Sequence, residues 1–195
     1  MNGINPLMLI IFSAFTMNLT LQCALGLKGA AVPDNGSKTT SLIKLLIIFT
    51  SVVLLWLLFS KILSSFFSGM IIFVLMLPVS YIVYSGLEYL VFIYLVKSNT
   101  ENDSFISFPE GITAVAAFIC INTANGFFEV LLLSFGFTAG ILLVILIIRE
   151  IKKRAELEAV PRFMRGTPLV LVTMGMLSLI FSVGSLLILG MIFAK

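Results

Sequence analysis

Glu88, in "YSGLEYLVFIYLVK", is a carboxylate set deep in an apolar stretch, and its position needs a chemical explanation. It lies nine residues before Lys97, about 13 Å along a helix rising about 1.5 Å per residue, so a helix through this stretch holds it inside the apolar layer. A buried carboxylate is costly and by default marks an ion or proton path or a paired charge. Neutral polar side chains interrupt two other apolar runs: Asn18, Thr20 and Gln22 in "NLTLQCALGLKGAA", and Thr113, Asn122, Thr123 and Asn125 further on. Such groups either line a path through the membrane or join helices by hydrogen bonds. Glu129 sits nearer the end of its run and reads as interfacial. Tyr81, Tyr84, Tyr89 and Tyr94 suit helix packing or an interfacial belt.

Most other chemistry has no residues to carry it. The chain has no histidine, which removes imidazole bases and the usual zinc sets. No Walker-type glycine loop or dinucleotide fingerprint occurs, so ATP, NAD or a flavin would bind another subunit. The two cysteines, Cys23 and Cys120, fall inside apolar runs, where a free cysteine behaves as a small hydrophobe.

The elements that must position these residues are membrane-spanning. Hydrophobic residues make up 60% of the 195 and charged residues 11%, far from the roughly 45–50% and 25% of a soluble domain. Only helices and closed barrels satisfy their backbone groups in lipid, and a spanning helix needs about 20 apolar residues. Six segments meet that test to differing degrees: Pro6–Leu27, Ser41–Leu63, Ser68–Val96, Pro109–Thr123, Phe127–Ile148 and Thr167–Ala194. The third carries Pro78 and Gly86, and a kink or tilt is expected there. The fourth has a short apolar centre, "ITAVAAFICI", before "NTANG", and resembles half a helix. Met1 to Pro6 has no basic residue, so the first segment is expected to remain in the mature chain.

Basic residues orient the spans. Lys28, Lys38, Lys44, Lys97, Arg149, Lys152, Lys153, Arg154, Arg162 and Arg165 fall on one side, with only Lys61 and Lys195 on the other. Both termini are therefore expected outside, and "REIKKRAELEAVPRFMR" is expected to be a solvated cytoplasmic connection. The expected fold is an all-α membrane protein of one domain, 1–195. Its six transmembrane helices form two inverted three-helix repeats, 1–97 and 107–195, joined by 98–106. The first and fourth helices are interrupted, as in proteins whose broken helices meet near the bilayer midplane.

Several stretches carry a family resemblance. "NLTLQCALGLK" resembles the segment ending in Gly-Leu-Cys of the small integral membrane subunits of the Rnf and Nqr complexes. "VPRFMRGTPLVLVTMGMLSLIF" is similar to their Val-Pro-x-x-x-Arg-Gly loop and last span. "REIKKR" resembles the Arg-Glu closing their fifth span, "GLEYL" their buried acidic position and "GIT" the start of their fourth span. The resemblance covers nearly the whole chain, and the cytoplasmic Pro-Arg-Gly loop favours the RnfA or NqrE branch over its oppositely oriented sister.

The resemblance implies a subunit of an ion-translocating electron-transport complex in a bacterial cytoplasmic membrane. It would be paired with a homologous subunit of opposite topology and with further Rnf- or Nqr-type subunits. No nucleic acid is implied. In the family, two such subunits each supply two cysteines to one shared two-iron two-sulfur cluster, for which thiolates are the expected ligands. Here Lys28 and Ala116 stand at those two positions, so no family-type cluster, and no other metal, is expected on this chain. A displaced ligand pair, Cys23 and Cys120, is the alternative. Glu88, Asn18, Thr113 and Asn122 are the ion-path candidates. The competing functional reading is a paralogue without a cluster, acting as a transporter-like or scaffolding membrane protein.

Overall fold

The computed structural model describes residues 6–16, 18, 38–60, 69–91, 93, 109–157 and 167–193. All regular structure among them is helical. The first element, α1 (Pro6–Ile11), continues directly as a π-helical turn, Phe12–Thr16. It is followed by α2 (Lys38–Leu58), α3 (Gly69–Val91), α4 (Pro109–Thr123), α5 (Phe127–Leu157) and α6 (Thr167–Phe193). Three stretches, Val74–Val91, Phe127–Ile151 and Pro168–Leu187, are long and apolar enough to cross a bilayer. Shorter apolar stretches occupy Leu42–Leu58 and Pro109–Thr123. The chain is a membrane protein, helical in all the regular structure of its described residues.

Side-chain exposure follows from that solvent. On α6 the buried positions Val170, Met174 and Phe181 form one narrow stripe, while Leu171, Val172, Met176, Leu179, Ile180, Val183 and Leu186 face outward. The outer face of α3 is similar, with Val74, Leu77, Tyr81, Ile82 and Tyr89 exposed. Lipid is as apolar as leucine, so these faces need no protein cover. Pro78 lies inside α3, and the helix continues on both sides of it.

The charged connection expected from Arg149 begins as helix. α5 runs on to Leu157, and there Arg154 Nε pairs with Glu150 Oε1 at 3.1 Å, one turn apart. Glutamate, lysine, arginine, alanine and leucine are all good helix formers, and this spacing of opposite charges supports the extension. The remainder of that connection, including the Pro-Arg-Gly loop, lies outside the described residues.

The long helices pack around two short segments. α2 packs on α3 and on α5. α4 sits against α2, α3 and α5, whereas α1 and its π turn sit against α5 and α6. The core runs through these contacts, with Ile48, Val52 and Leu55 of α2, Tyr84 of α3, Ile112 of α4 and Val130, Ile141 and Val144 of α5 all sealed.

Candidate functional site

α4 is too short to cross alone. Its 15 residues extend about 22 Å at about 1.5 Å per residue, against a hydrocarbon core of about 30 Å. Pro109 opens it, a position where the missing N–H costs nothing. Its first turn is fastened to α3: Ser80 Oγ donates to the Glu110 carbonyl at 3.4 Å and to Leu77 O at 2.8 Å. Ser80 is equidistant from Gly69 and Val91, so α4 begins level with the middle of α3. Thr113, fully buried, donates to the same Glu110 carbonyl at 2.8 Å. Ile112, Ala114, Ala116, Ala117 and Cys120 are also buried, so α4 is enclosed on more than one face.

The carboxylate of Glu88 is paired. Lys44 Nζ on α2 lies 3.3 Å from Glu88 Oε1, with both side chains partly exposed. Ser80, Tyr84 and Glu88 follow one another at four-residue spacing and so share one face of α3. Tyr84, between the other two, is fully buried, and its hydroxyl has no hydrogen-bond partner. Lys44 and Glu88 thus pair α2 with α3, and Ser80 ties α3 to the Glu110 carbonyl of α4. Thr113 lies one turn along α4 from Glu110.

The other ion-path candidates are elsewhere. Asn18 is buried beyond the π turn, where its Nδ2 donates to Ala14 O at 3.1 Å and to the Gly140 carbonyl of α5 at 3.2 Å. Gly140 lies near the centre of the apolar stretch Phe127–Ile151, so Asn18 sits level with the middle of that stretch. Asn122 is exposed at the far end of α4 and donates to Phe118 O at 2.8 Å. Thr123 likewise donates to Ile119 O at 2.7 Å. Beyond them the chain turns into α5, where Glu129 Oε2 accepts from the Asn125 N–H at 2.9 Å and caps the helix. Trp56 and Phe127 meet at this end with ring centroids 6.4 Å apart.

Two features were not singled out from the sequence. Glu110, in the first turn of α4, is one. The pair Gly136 and Gly140 in "GFTAG" has the small-residue spacing that lets membrane helices approach closely. A Cβ on Gly140 would stand 2.7 Å from the Ala14 carbonyl oxygen, and one on Gly136 would stand 2.8 Å from that of Ile10 and meet the Ser13 side chain.

The described residues do not fit a shared iron–sulfur cluster. Ala116 offers a fully buried methyl group, not a thiolate. Cys120 is a free thiol, also fully buried within this chain and not presented at its surface, where a group shared between two subunits would need it. Among the described residues no three His, Cys, Asp or Glu side chains gather as metal ligands. Lys28 and Cys23 lie outside the described residues. No family model matches the chain, and no curated protein matches it.

Proposed function

We propose that this chain is a membrane subunit of an ion-translocating electron-transport complex of the Rnf or Nqr type. It contributes helical framework and part of the ion path beside a homologous subunit of opposite topology. The observation that carries this reading is the exchange in the packing: the fourth segment sits on α2 and α3, and the first sits on α5 and α6. Exchanging α1 with α4, α2 with α5 and α3 with α6 turns each of those contacts into the other. It also turns the α2–α3 contact into α5–α6 and leaves α2–α5 unchanged. Such a pattern supports two inverted three-helix repeats, 1–97 and 107–195, whose first helices break at mid-depth. Both termini then lie outside a bacterial cytoplasmic membrane, in keeping with the charge asymmetry of the connections.

Mild-detergent purification of the tagged chain from its native membrane tests this. The opposite-topology subunit together with flavin and ferredoxin-like subunits is the expected company. Glu88→Gln should assemble and lose ion-coupled turnover, because it keeps shape and hydrogen bonding while removing the charge. Unchanged ion transport in the assembled variant would refute an ion-path role for Glu88.

A second reading is favoured by the methyl group of Ala116 and the sealed thiol of Cys120: a paralogue without a cluster, serving as a transporter-like or scaffolding protein. Recovery of the chain with no redox subunit would select it. Iron and acid-labile sulfide assayed on the purified assembly, against a variant lacking both Cys23 and Cys120, would show whether either cysteine holds a cluster.

A further inference from the structure

The surplus charge of this chain is gathered at one end of α5. Residues 149–165 hold six basic and three acidic side chains, an excess equal to the net +3 of the whole sequence. Part of it is cancelled where Arg154 pairs with Glu150. Lys153 is exposed and forms no ion pair among the described residues. Lys152 is its neighbour in the sequence, and Arg149 lies about one turn before it.

The depth of this turn follows from the other end of the helix. Phe127 opens α5 and meets Trp56, near the end of α2, with ring centroids 6.4 Å apart, and Phe128 beside it is exposed. Tryptophan favours the membrane–water boundary, so these rings mark one edge of the span. Arg149 follows Phe127 by 22 residues, about 33 Å at about 1.5 Å per residue, against a hydrocarbon core of about 30 Å. Arg149 therefore meets the opposite headgroup layer, and Lys153, a turn further on, stands at the level of the phosphates. Leu146, Arg149 and Lys153 follow one another at three- and four-residue spacing and so share one face of α5. On that face Leu146 is 55% exposed. An apolar surface that runs into basic residues at headgroup depth matches an amphiphile with an acyl chain and an anionic head.

We propose that this face of α5 binds an anionic phospholipid of the surrounding leaflet, its acyl chain along Leu146 and its phosphate at Arg149 and Lys153. Glu150 withholds Arg154 from the lipid and so limits the positive charge that the turn offers. The site requires only that α5 spans the membrane, and it is independent of the electron-transport reading.

The test is lipid retention. The full chain is reconstituted in vesicles of equal phosphatidylglycerol and phosphatidylcholine and extracted in mild detergent, and the retained lipid is quantified by mass spectrometry. Phosphatidylglycerol should be enriched about fivefold or more, the factor that one basic residue near an anionic surface supplies. Lys152→Gln with Lys153→Gln should lower the enrichment several-fold, whereas Glu150→Gln, which releases Arg154, should raise it. Equal retention of the two lipids overturns the proposal, as does enrichment unchanged in the double variant. Displacement of the lipid by millimolar inorganic phosphate at constant ionic strength would mark a free-anion site and overturns it too. So would labelling of Lys153 by an amine reagent that another subunit blocks in the native assembly and phosphatidylglycerol does not, because the face would then belong to a protein partner. If the double variant fails to fold, the unaltered chain decides: the enrichment should fall in about 0.5 M salt, where exposed charges are screened, and undiminished enrichment overturns the proposal. Because retention is read on the isolated chain, its failure leaves the electron-transport reading standing.

Discussion

The two short segments reach the centre of the bundle by opposite means. α4 is a regular helix that carries its own small residues, with Ala114, Ala116 and Ala117 buried, and it packs on α2, α3 and α5. The first segment brings Ile10, Ser13 and Ala14 against α5, and the room comes from the partner, at Gly136 and Gly140. It also departs from α geometry, widening into a π turn at Phe12–Thr16 before Asn18 bonds the Gly140 carbonyl. π turns interrupt the regular hydrogen-bond ladder and often mark functional positions. The difference teaches that a short segment can seat in the bundle either as a regular helix that starts beside the middle of another, as α4 does beside Ser80, or with its α geometry widened into a π turn, as in the first segment beside Gly140.

The largest effect is expected where the close approach is backbone to backbone. Gly140→Leu places a Cβ 2.7 Å from the Ala14 carbonyl oxygen and 3.2 Å from its Cα, neither of which can swing aside. Overpacking a core costs about 1–3 kcal/mol and occasionally more, and here it forces α1 off α5. Loss of monodisperse protein, or a large drop in unfolding temperature, is the expected result. A stable Gly140→Leu would show that the first segment does not seat there.

On α4 the same kind of change should cost less. Ala116 is fully buried, but it already carries a Cβ, whereas a Cβ at Gly140 would meet backbone. Ala116→Leu is expected to destabilise by about 1–3 kcal/mol, measurable by thermal or denaturant unfolding in detergent. A cost equal to that of Gly140→Leu would erase the distinction between the two seats.

Asn18→Ala ranks below both. It removes the bond to Gly140 O while the carbonyl keeps its own helical bond, and interhelical side-chain bonds in membranes average about 0.6 kcal/mol. A loss of that order is expected. A loss near that of Ala116→Leu would mean that Asn18, not the glycines, holds the first segment in place.

Much of this contrast could be read in the sequence, and the unread part has a common cause. The bounds expected for the fourth segment, Pro109–Thr123, are those of α4, because proline starts and Asn-Gly stops are local signals. The long apolar runs likewise announce α3, α5 and α6. The helical continuation to Leu157 was not expected, since the run from Arg149 read as a solvated connection, although Glu150 and Arg154 have the spacing of a helical ion pair. Nor was the partner of Glu88. Lys44 counts with the connection by charge, yet it lies inside α2, and its meeting with Glu88 depends on the rotation and depth of two helices, which period alone does not set. The same holds for Gly136 and Gly140: their spacing is visible, but nothing local says that α1 is what lies on them. Nor does any pattern show that Tyr84 is sealed while Tyr81 and Tyr89 on the same helix are exposed.

No loss of stability is expected at a glycine that nothing approaches, which makes it the control for the first comparison. Gly175 lies within α6 beside exposed Leu171, Val172 and Met176, and a Cβ there meets nothing within 4 Å. Glycine in a helix interior is less favourable than alanine by roughly 0.5–1 kcal/mol, because it surrenders more backbone freedom on folding. Gly175→Ala should therefore leave stability unchanged or raise it by up to about that amount, the opposite sign to Gly140→Leu. The measurement is best made twice, on the isolated chain and on the chain in its native assembly. A gain in both keeps the face of α6 in lipid. A gain in isolation that becomes a loss in the assembly would mean that another subunit packs against Gly175 as closely as α1 packs against Gly140, extending the glycine-seated approach from within the chain to the contact between subunits.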